Sequence, residues 1–211
     1  MKQLLLKICF AFLTASSLWS CAPEIYTPLY IENTKYLGKA EDRGVTMEYE
    51  YNILQEAGNH EYASREKKTG TRVVAIKVTN NSGVPINFYQ DINIYAGSRK
   101  VTFIDKDVAY KKLRQKSRKH LWYLLLSLIW IPTDNGNDLF PLGAVVGGGI
   151  TVYRVTRTRA QNGKFRRELY VRDLSRREIK DGKTAYGLIC IRDTRFVPLS
   201  IKAFEADYLP D

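Results

Sequence analysis

The sequence predicts a mainly β protein, a β-sandwich that is interrupted by a helical insertion. Apolar and polar residues alternate with a period of two in several short stretches, as in strands that bury one face. Turn-forming residues separate these stretches about every ten residues, a spacing typical of sandwiches. Residues 105–174 instead place apolar residues three and four apart, which is typical of helices.

The β blocks lie on both sides of this insertion. Val74, Ile76 and Val78 fall on one side of a predicted strand, with Lys77 and Thr79 on the other, and the turn 80–83 follows. The predicted strands are 45–52, 72–79, 86–88, 92–96, 101–103, 184–191 and 197–204. Residues 55–70 are predicted to be a connecting loop because they contain turn-forming residues. Residues expected in the core include Ile76, Val78, Leu188 and Leu199.

The insertion is predicted to be an apolar helical hairpin followed by a short third helix. Asp105 or Asp107 is placed to cap the first helix. Its apolar stripe consists of Tyr110, Leu113, Ser117, Leu121, Leu124 and Leu128. Pro132 is expected to end it, and residues 139–153 are again free of charge. Asn162 is predicted to cap the third helix.

The N-terminus has the pattern of a secretory signal. Lys2 and Lys7 lie in a start without acidic residues, and residues 8–19 are apolar or small. This stretch is shorter than the about 20 residues that a membrane-spanning helix needs. We therefore predict that residues 1–20 are a signal peptide that is absent from the mature protein.

The signal peptide ends in the tetrapeptide Leu18-Trp19-Ser20-Cys21. It resembles the lipobox of bacterial lipoproteins, which contains a Leu, two small residues and a Cys, although Trp19 departs from this pattern. The resemblance implies that Cys21 carries a diacylglycerol and becomes the mature N-terminus. Ala22 in the next position favours sorting to the outer membrane, by the same resemblance. An ordinary signal peptide that is cleaved elsewhere is the alternative.

The chain is basic, with 33 Lys and Arg against 22 Asp and Glu. Removal of residues 1–20 takes away Lys2 and Lys7 and no acidic residue, so the formal net charge falls from +11 to +9. In a lipoprotein of the cell envelope, this charge favours anionic lipids or glycans, or an envelope protein partner, over nucleic acid. Residues 21–44, with two prolines and mixed charges, are predicted to be the lipidated N-terminus and a spacer, and residues 45–211 the folded domain.

Three stretches of the β blocks also resemble a known kind of module. They are VVAIKVTNNSGVPIN, REIKDGKTAYGLICI and VPLSIKAF. They are similar to immunoglobulin-like modules of secreted bacterial lipoproteins, in an uncharacterised lipoprotein family. The resemblance implies an immunoglobulin-like β-sandwich and brings no catalytic residue with it.

The apolar hairpin, residues 121–153, leaves three interpretations open. It forms part of the core, it lies in the bilayer interface, or it binds a partner or a second copy through Gly143 and Gly147. In the second case Trp122, Tyr123 and Trp130 lie at headgroup depth. The preceding cations then contact phosphates, although runs of charge are commonly solvated helix faces. These cations are Lys111, Lys112, Arg114, Lys116, Arg118 and Lys119.

The remaining candidates for chemistry do not converge on one site. His60 and His120 each lack a second His or Cys at metal-ligand spacing. Cys190 lies in an apolar strand, and Glu48 and Glu50 share one strand face, where carboxylates are usually just exposed. We therefore expect no catalytic residue, metal or cofactor. The sequence favours a non-enzymatic envelope lipoprotein, or alternatively a protein that binds an anionic glycan or lipid headgroup through residues 111–119.

Overall fold

The computed structural model describes residues 22–128, 131–132, 139–140, 142–174, 177–192 and 196–204. The protein is a mixed α/β protein with a core rich in antiparallel sheet. It divides into two compact units. Unit 1 contains residues 1–25 and 115–161, and unit 2 contains residues 26–114 and 162–211.

Unit 2 contains two antiparallel sheets. The larger sheet has the order β1 (Gly38–Asp42), β2 (Val45–Glu50), β3 (Thr71–Asn80), β10 (Lys183–Arg192). The smaller sheet has the order β11 (Leu199–Ala203), β5 (Ile92–Ala96), β6 (Arg99–Lys100). A short pair joins β4 (Ile86–Asn87) to β9 (Glu178–Ile179), and in unit 1 another joins β7 (Ile131–Pro132) to β8 (Leu139–Phe140).

The helices are mostly short. They are α1 (Ile53–Glu56), α2 (His60–Thr69), α3 (Phe88–Asp91), α4 (Lys106–Leu113) and α5 (Leu142–Val171). Two further segments, Ile31–Asn33 and Ser117–Leu128, are 3-10 helices. Asp105 caps α4, because its carboxylate accepts hydrogen bonds from the backbone N–H groups of Asp107 and Val108, which confirms the predicted cap.

Unit 2 has two apolar cores, one on each face of the larger sheet. The first contains side chains of both sheets, namely Val45, Met47, Val74, Ile76, Val78, Ile92, Ile94, Leu199 and Ile201. The second contains the opposite face of β3 and β10 together with helical side chains, namely Val73, Ala75, Leu188, Cys190, Tyr62, Leu113, Phe165 and Leu169. Strands β3 and β10 therefore contribute buried side chains on both faces of the larger sheet.

Most of the predicted strands are confirmed. The ends of strands β2, β3, β5, β10 and β11 all lie within two residues of their predicted positions. The four predicted core residues, Ile76, Val78, Leu188 and Leu199, are buried. Two predicted strands are shorter than expected: Phe88 begins a helix instead of continuing β4, and Phe103 makes only an isolated bridge to Ile191.

The two turn motifs of the β blocks bind each other. The side chain of Asn80 accepts a hydrogen bond from the Ser82 N–H at 3.0 Å and donates to the Ile179 carbonyl at 2.8 Å. Asp181 in turn accepts from the Gly83 N–H at 2.9 Å. Gly83 has a φ of +84°, which favours glycine there. These motifs therefore stabilise a junction between β3 and β10.

Two segments predicted to be irregular are part of the fold. The prediction of a loop over 55–70 was wrong, because α2 places Tyr62 and Ala63 in the second core. The predicted spacer over 21–44 is also shorter than expected. Tyr26, Leu29 and Ile31 are buried in the second core, and β1 pairs with β2.

The predicted course of the insertion was wrong in two places. The first helix ends at Leu113, and the stripe that was expected to continue to Leu128 continues as a 3-10 helix. Asn162 does not cap a third helix, because it lies inside α5, which runs without interruption over 30 residues.

Candidate functional site

The described part of unit 1 buries polar side chains. Of its side chains in 22–25, 115–125 and 147–161, no Leu, Ile, Val, Phe, Tyr or Trp is buried. The buried polar ones are Gln115, His120, Thr151, Arg154, Thr158 and Gln161. The four on α5 are spaced three and four residues apart, so they form one polar stripe along the helix.

Arg154 is the charged member of this stripe. It is 6% exposed, and its guanidinium lies 4.4 Å from the centre of the Tyr123 ring. One of its N–H groups also donates to the Tyr123 hydroxyl at 2.7 Å. The two threonines beside it, Thr151 and Thr158, donate to the carbonyls of Gly147 and Arg154 within the helix. The stripe therefore satisfies part of its polar groups locally.

Several apolar side chains in the described part of unit 1 are exposed. Trp122 is 74% exposed, and Leu121, Leu124 and Leu125 are exposed beside it in the 3-10 helix. On α5, Val152 and Tyr153 are exposed as well. The core interpretation concerned the whole hairpin 121–153, and four of its first five side chains are exposed. Trp130 and the side chain of Leu128 lie outside the described residues.

Most of the predicted cations are exposed. Lys116, Arg118 and Lys119 precede Leu121 in unit 1, and Lys111 and Arg114 are exposed in unit 2. Lys112 is half-buried. The guanidiniums of Arg114 and Arg166 lie 6.0 and 5.6 Å from the centre of the Tyr110 ring in unit 2.

Gln115 connects the start of this segment to the N-terminal chain. The side chain is 2% exposed, and its Nε2 donates to the Glu24 carbonyl at 2.9 Å. Cys21 itself lies outside the described residues, but only two residues separate it from Glu24 in the sequence. The sequence alone offered no signal for this contact, because Gln115 is one uncharged residue within a basic run.

Glu168 holds the next part of the N-terminal chain in unit 2. Its carboxylate accepts from the Tyr26 hydroxyl at 2.6 Å and from the Leu29 N–H at 2.9 Å. Burial, with the negative charge of Glu168 beside it, raises the pKa of Tyr26, so the hydroxyl stays protonated and donates. Asn59 adds two hydrogen bonds of 2.8 Å to the backbone of Thr27. The packed part of unit 2 therefore begins at residue 26.

Unit 2 also contains a cleft of about 450 Å³. Its lining combines aromatic and aliphatic residues with Asp105 and an ion pair between Lys106 and Asp173. Cys190 lines it too, but burial raises the pKa of this thiol to about 12. At neutral pH the group is therefore a thiol rather than a nucleophilic thiolate. The volume of the cleft suits a small group, and the charges of Lys106 and Asp173 neutralise each other.

The other candidates for chemistry lie apart from one another or have structural partners. Glu48 forms an ion pair with Lys77 at 2.5 Å, whereas Glu50 is buried and accepts from the Asn52 N–H at 2.9 Å. His60 bonds Gln55, and His120 is buried in unit 1. Among the described residues, no group of three His, Cys, Asp or Glu is placed to hold a metal ion.

Comparisons with known proteins identify no relative of this chain. No protein-family model, curated protein or solved structure matches it. Of the helices in the described part of the chain, none is both long and apolar enough to span a bilayer. The candidate functional surface consists of residues 116–125 of unit 1, which include exposed apolar and basic side chains.

Proposed function

We propose that the protein is a non-enzymatic lipoprotein of the bacterial cell envelope, a structural or interaction module that lipid on Cys21 anchors to the outer membrane. It is a member, in this proposal, of an uncharacterised family of envelope lipoproteins. Its folded part is held close to the membrane and presents its surface to an envelope partner.

The observation that carries this proposal is the attachment of the chain directly after Cys21. Tyr26 and Leu29 are buried and bonded to Glu168, so only residues 22–25 separate the lipidation site from the packed domain. Four extended residues span at most about 14 Å. A lipid on Cys21 then holds the domain next to the bilayer, since the acyl chains of a lipoprotein bind a membrane stably.

We also propose that the two sheets around the first core form an immunoglobulin-like sandwich. In support, a four-stranded and a three-stranded antiparallel sheet share this core. The two motifs that suggested such a module bind each other at the junction of β3 and β10. Such sandwiches commonly serve in binding rather than in catalysis, although a fold alone does not determine a function.

Labelling of the three cysteines tests the anchor. Cells that express the protein are fed radiolabelled palmitate, and Cys21→Ala is compared with Cys9→Ala and Cys190→Ala as matched controls. We expect the label to be lost in Cys21→Ala alone, and this variant to remain as unprocessed precursor or to appear as soluble protein. Equal label in the Cys21→Ala protein contradicts lipidation at this site.

A second candidate function is binding of an anionic envelope glycan through the basic residues 111–119. The specific observation in its favour is the exposure of Lys111 and Arg114. Replacement of Lys111 and Arg114 by Gln is expected to weaken binding of a sulfated polysaccharide probe at low salt, because exposed cations attract it electrostatically. Retention of the probe by the double variant at the wild-type affinity contradicts this function.

A further inference from the structure

We propose that residues 116–125 of unit 1 lie in the headgroup region of the anionic bilayer to which Cys21 is attached. The inference deepens the proposed function and rests on it for the identity of the membrane. The contact consists of cations, Lys116 and Arg118, followed by exposed apolar side chains, Leu121, Trp122, Leu124 and Leu125.

The exposure of apolar side chains in unit 1 is the first argument. In water, a folded unit gains free energy by burying its Leu, Trp and Val side chains. Within 115–125 and 147–161, however, no Leu, Ile, Val, Phe, Tyr or Trp is buried, and Trp122 is 74% exposed. This arrangement suits an environment that solvates apolar side chains, and the bilayer interface is such an environment.

The order of charge and apolarity is the second argument. Lys116 and Arg118 lie a few residues before Leu121 and Trp122, so cations border an apolar surface that contains an indole ring. Lys and Arg side chains reach phosphates from such a border, and Trp is enriched at the level of the headgroups. Each cation near an anionic surface raises the affinity about fivefold.

The place of the lipid anchor is the third argument, and it decides in favour of a membrane over another partner. The Glu24 carbonyl accepts the hydrogen bond of Gln115, the residue directly before Lys116. The chain from Cys21 to Glu24 spans at most about 11 Å. The acyl chains on Cys21 therefore enter the bilayer close to the start of the 3-10 helix. Lipid and segment form two membrane signals, and stable anchoring generally needs two.

Vesicle binding by the unlipidated mature chain tests this contact. The chain from residue 21 to 211, with Cys21→Ser, is mixed with vesicles of phosphatidylcholine containing phosphatidylglycerol, and with vesicles of phosphatidylcholine alone. We expect co-sedimentation with the anionic vesicles that decreases at high salt, because salt screens exposed cations. In addition, Trp130→Phe leaves Trp122 as the only tryptophan of this chain. Its fluorescence is then expected to be quenched by brominated lipids.

Matched variants separate the segment from general surface charge. Trp122→Ser is expected to lower vesicle affinity at least about tenfold, since the indole supplies much of the apolar contact. Lys116→Gln with Arg118→Gln is expected to lower it roughly twentyfold at low salt. Leu37→Ser and the pair Lys180→Gln with Lys183→Gln change exposed residues of unit 2 and are expected to leave the affinity within about twofold.

Absence of vesicle binding, or binding without quenching of Trp122, overturns the proposal. So does unchanged affinity in Trp122→Ser, provided that the variant retains the melting temperature of the parent chain. A second copy as the occupant of this surface would appear as a dimer in sedimentation velocity without vesicle binding, which also overturns the proposal. The palmitate experiment is independent of these results, so failure of the anchor and failure of the contact are distinguishable.

Discussion

Unit 2 buries many large apolar side chains, whereas the described part of unit 1 buries none. Unit 2 packs Ile, Val, Leu and aromatic residues into two cores on the two faces of one sheet. In unit 1, the 3-10 helix and α5 bury Gln115, His120 and Arg154, whereas Leu121 and Trp122 are exposed. The described part of unit 1 therefore exposes apolar side chains of a kind that unit 2 packs into its cores.

The largest expected effect is in the first core of unit 2. Ile76→Ala removes a fully buried side chain between the two sheets, so we expect a loss of about 2–5 kcal/mol in the free energy of unfolding. Urea denaturation followed by circular dichroism measures it. Val84→Ala, at an exposed position of the same unit, serves as the control and is expected to change little. A similar loss in both variants contradicts the assignment of the core.

Glu66 of α2 makes the stability of unit 2 dependent on pH. Burial raises the pKa of this carboxyl to about 8, although the Val73 N–H donates to it at 2.6 Å. Between about pH 4.5 and 8 the folded state therefore binds a proton that the unfolded state has lost. The free energy of unfolding is therefore highest below this window. It decreases as the pH rises through the window, by about 1 kcal/mol per pH unit.

Glu66→Gln tests this dependence, since an amide oxygen still accepts the Val73 hydrogen bond and does not titrate. The difference in unfolding free energy between the parent and Glu66→Gln is expected to change between pH 5 and 8. Glu61→Gln on the same helix is the matched control. A constant difference across this range contradicts the inferred protonation.

Glu168 is expected to have an intermediate effect, at the point where the N-terminal chain joins unit 2. Glu168→Ala leaves the buried Tyr26 hydroxyl and the Leu29 N–H without their acceptor, which costs about 1–3 kcal/mol. Faster chymotrypsin cleavage at Tyr26 reports local release of the segment. Glu178→Ala, an exposed acidic residue in β9, should leave the cleavage rate unchanged. Resistance of Glu168→Ala to cleavage contradicts the inference that Glu168 holds the N-terminal chain on unit 2.

The smallest effect in water is expected in unit 1. Leu121→Ala alters an exposed side chain, so the unfolding free energy should change by no more than about 0.5 kcal/mol. The same Leu-to-Ala change at Leu188, in the second core, is the matched comparison and should cost several times as much. Equal losses at the two positions would instead favour the interpretation in which the hairpin forms part of the core.

The elements that the sequence predicted well share a simple signal. In β3, Val74, Ile76 and Val78 alternate with other residues, and a strand shows such alternation directly. The cap at Asp105 is local as well, because its carboxylate bonds N–H groups two and three residues further on. The candidate surface was predicted in part. Trp122 and the cations were named from the sequence, whereas Gln115 and Arg154 were not.

The elements that were missed lack an apolar pattern. Helix α2 buries only Tyr62, Ala63 and Glu66, and one of these is an acid. Its end at Gly70, which follows two lysines and has a φ of +62°, was a readable C-terminal signal. Helix α5 has a polar buried stripe and three consecutive glycines, so neither its hydropathy nor its helix propensity marked it.

By itself the sequence determined most of the longer strands, a cap at Asp105 or Asp107 and the basic and aromatic order of residues 111–123, because each depends on neighbours within a few positions. Only the tertiary structure decided that β3 and β10 are covered on both faces. It alone decided that residues 26–31 belong to the core, that Gln115 bonds Glu24, and that Trp122 is exposed while Arg154 is buried. These features depend on contacts between segments far apart in the chain, and no local pattern of hydropathy encodes which distant segment covers a given face.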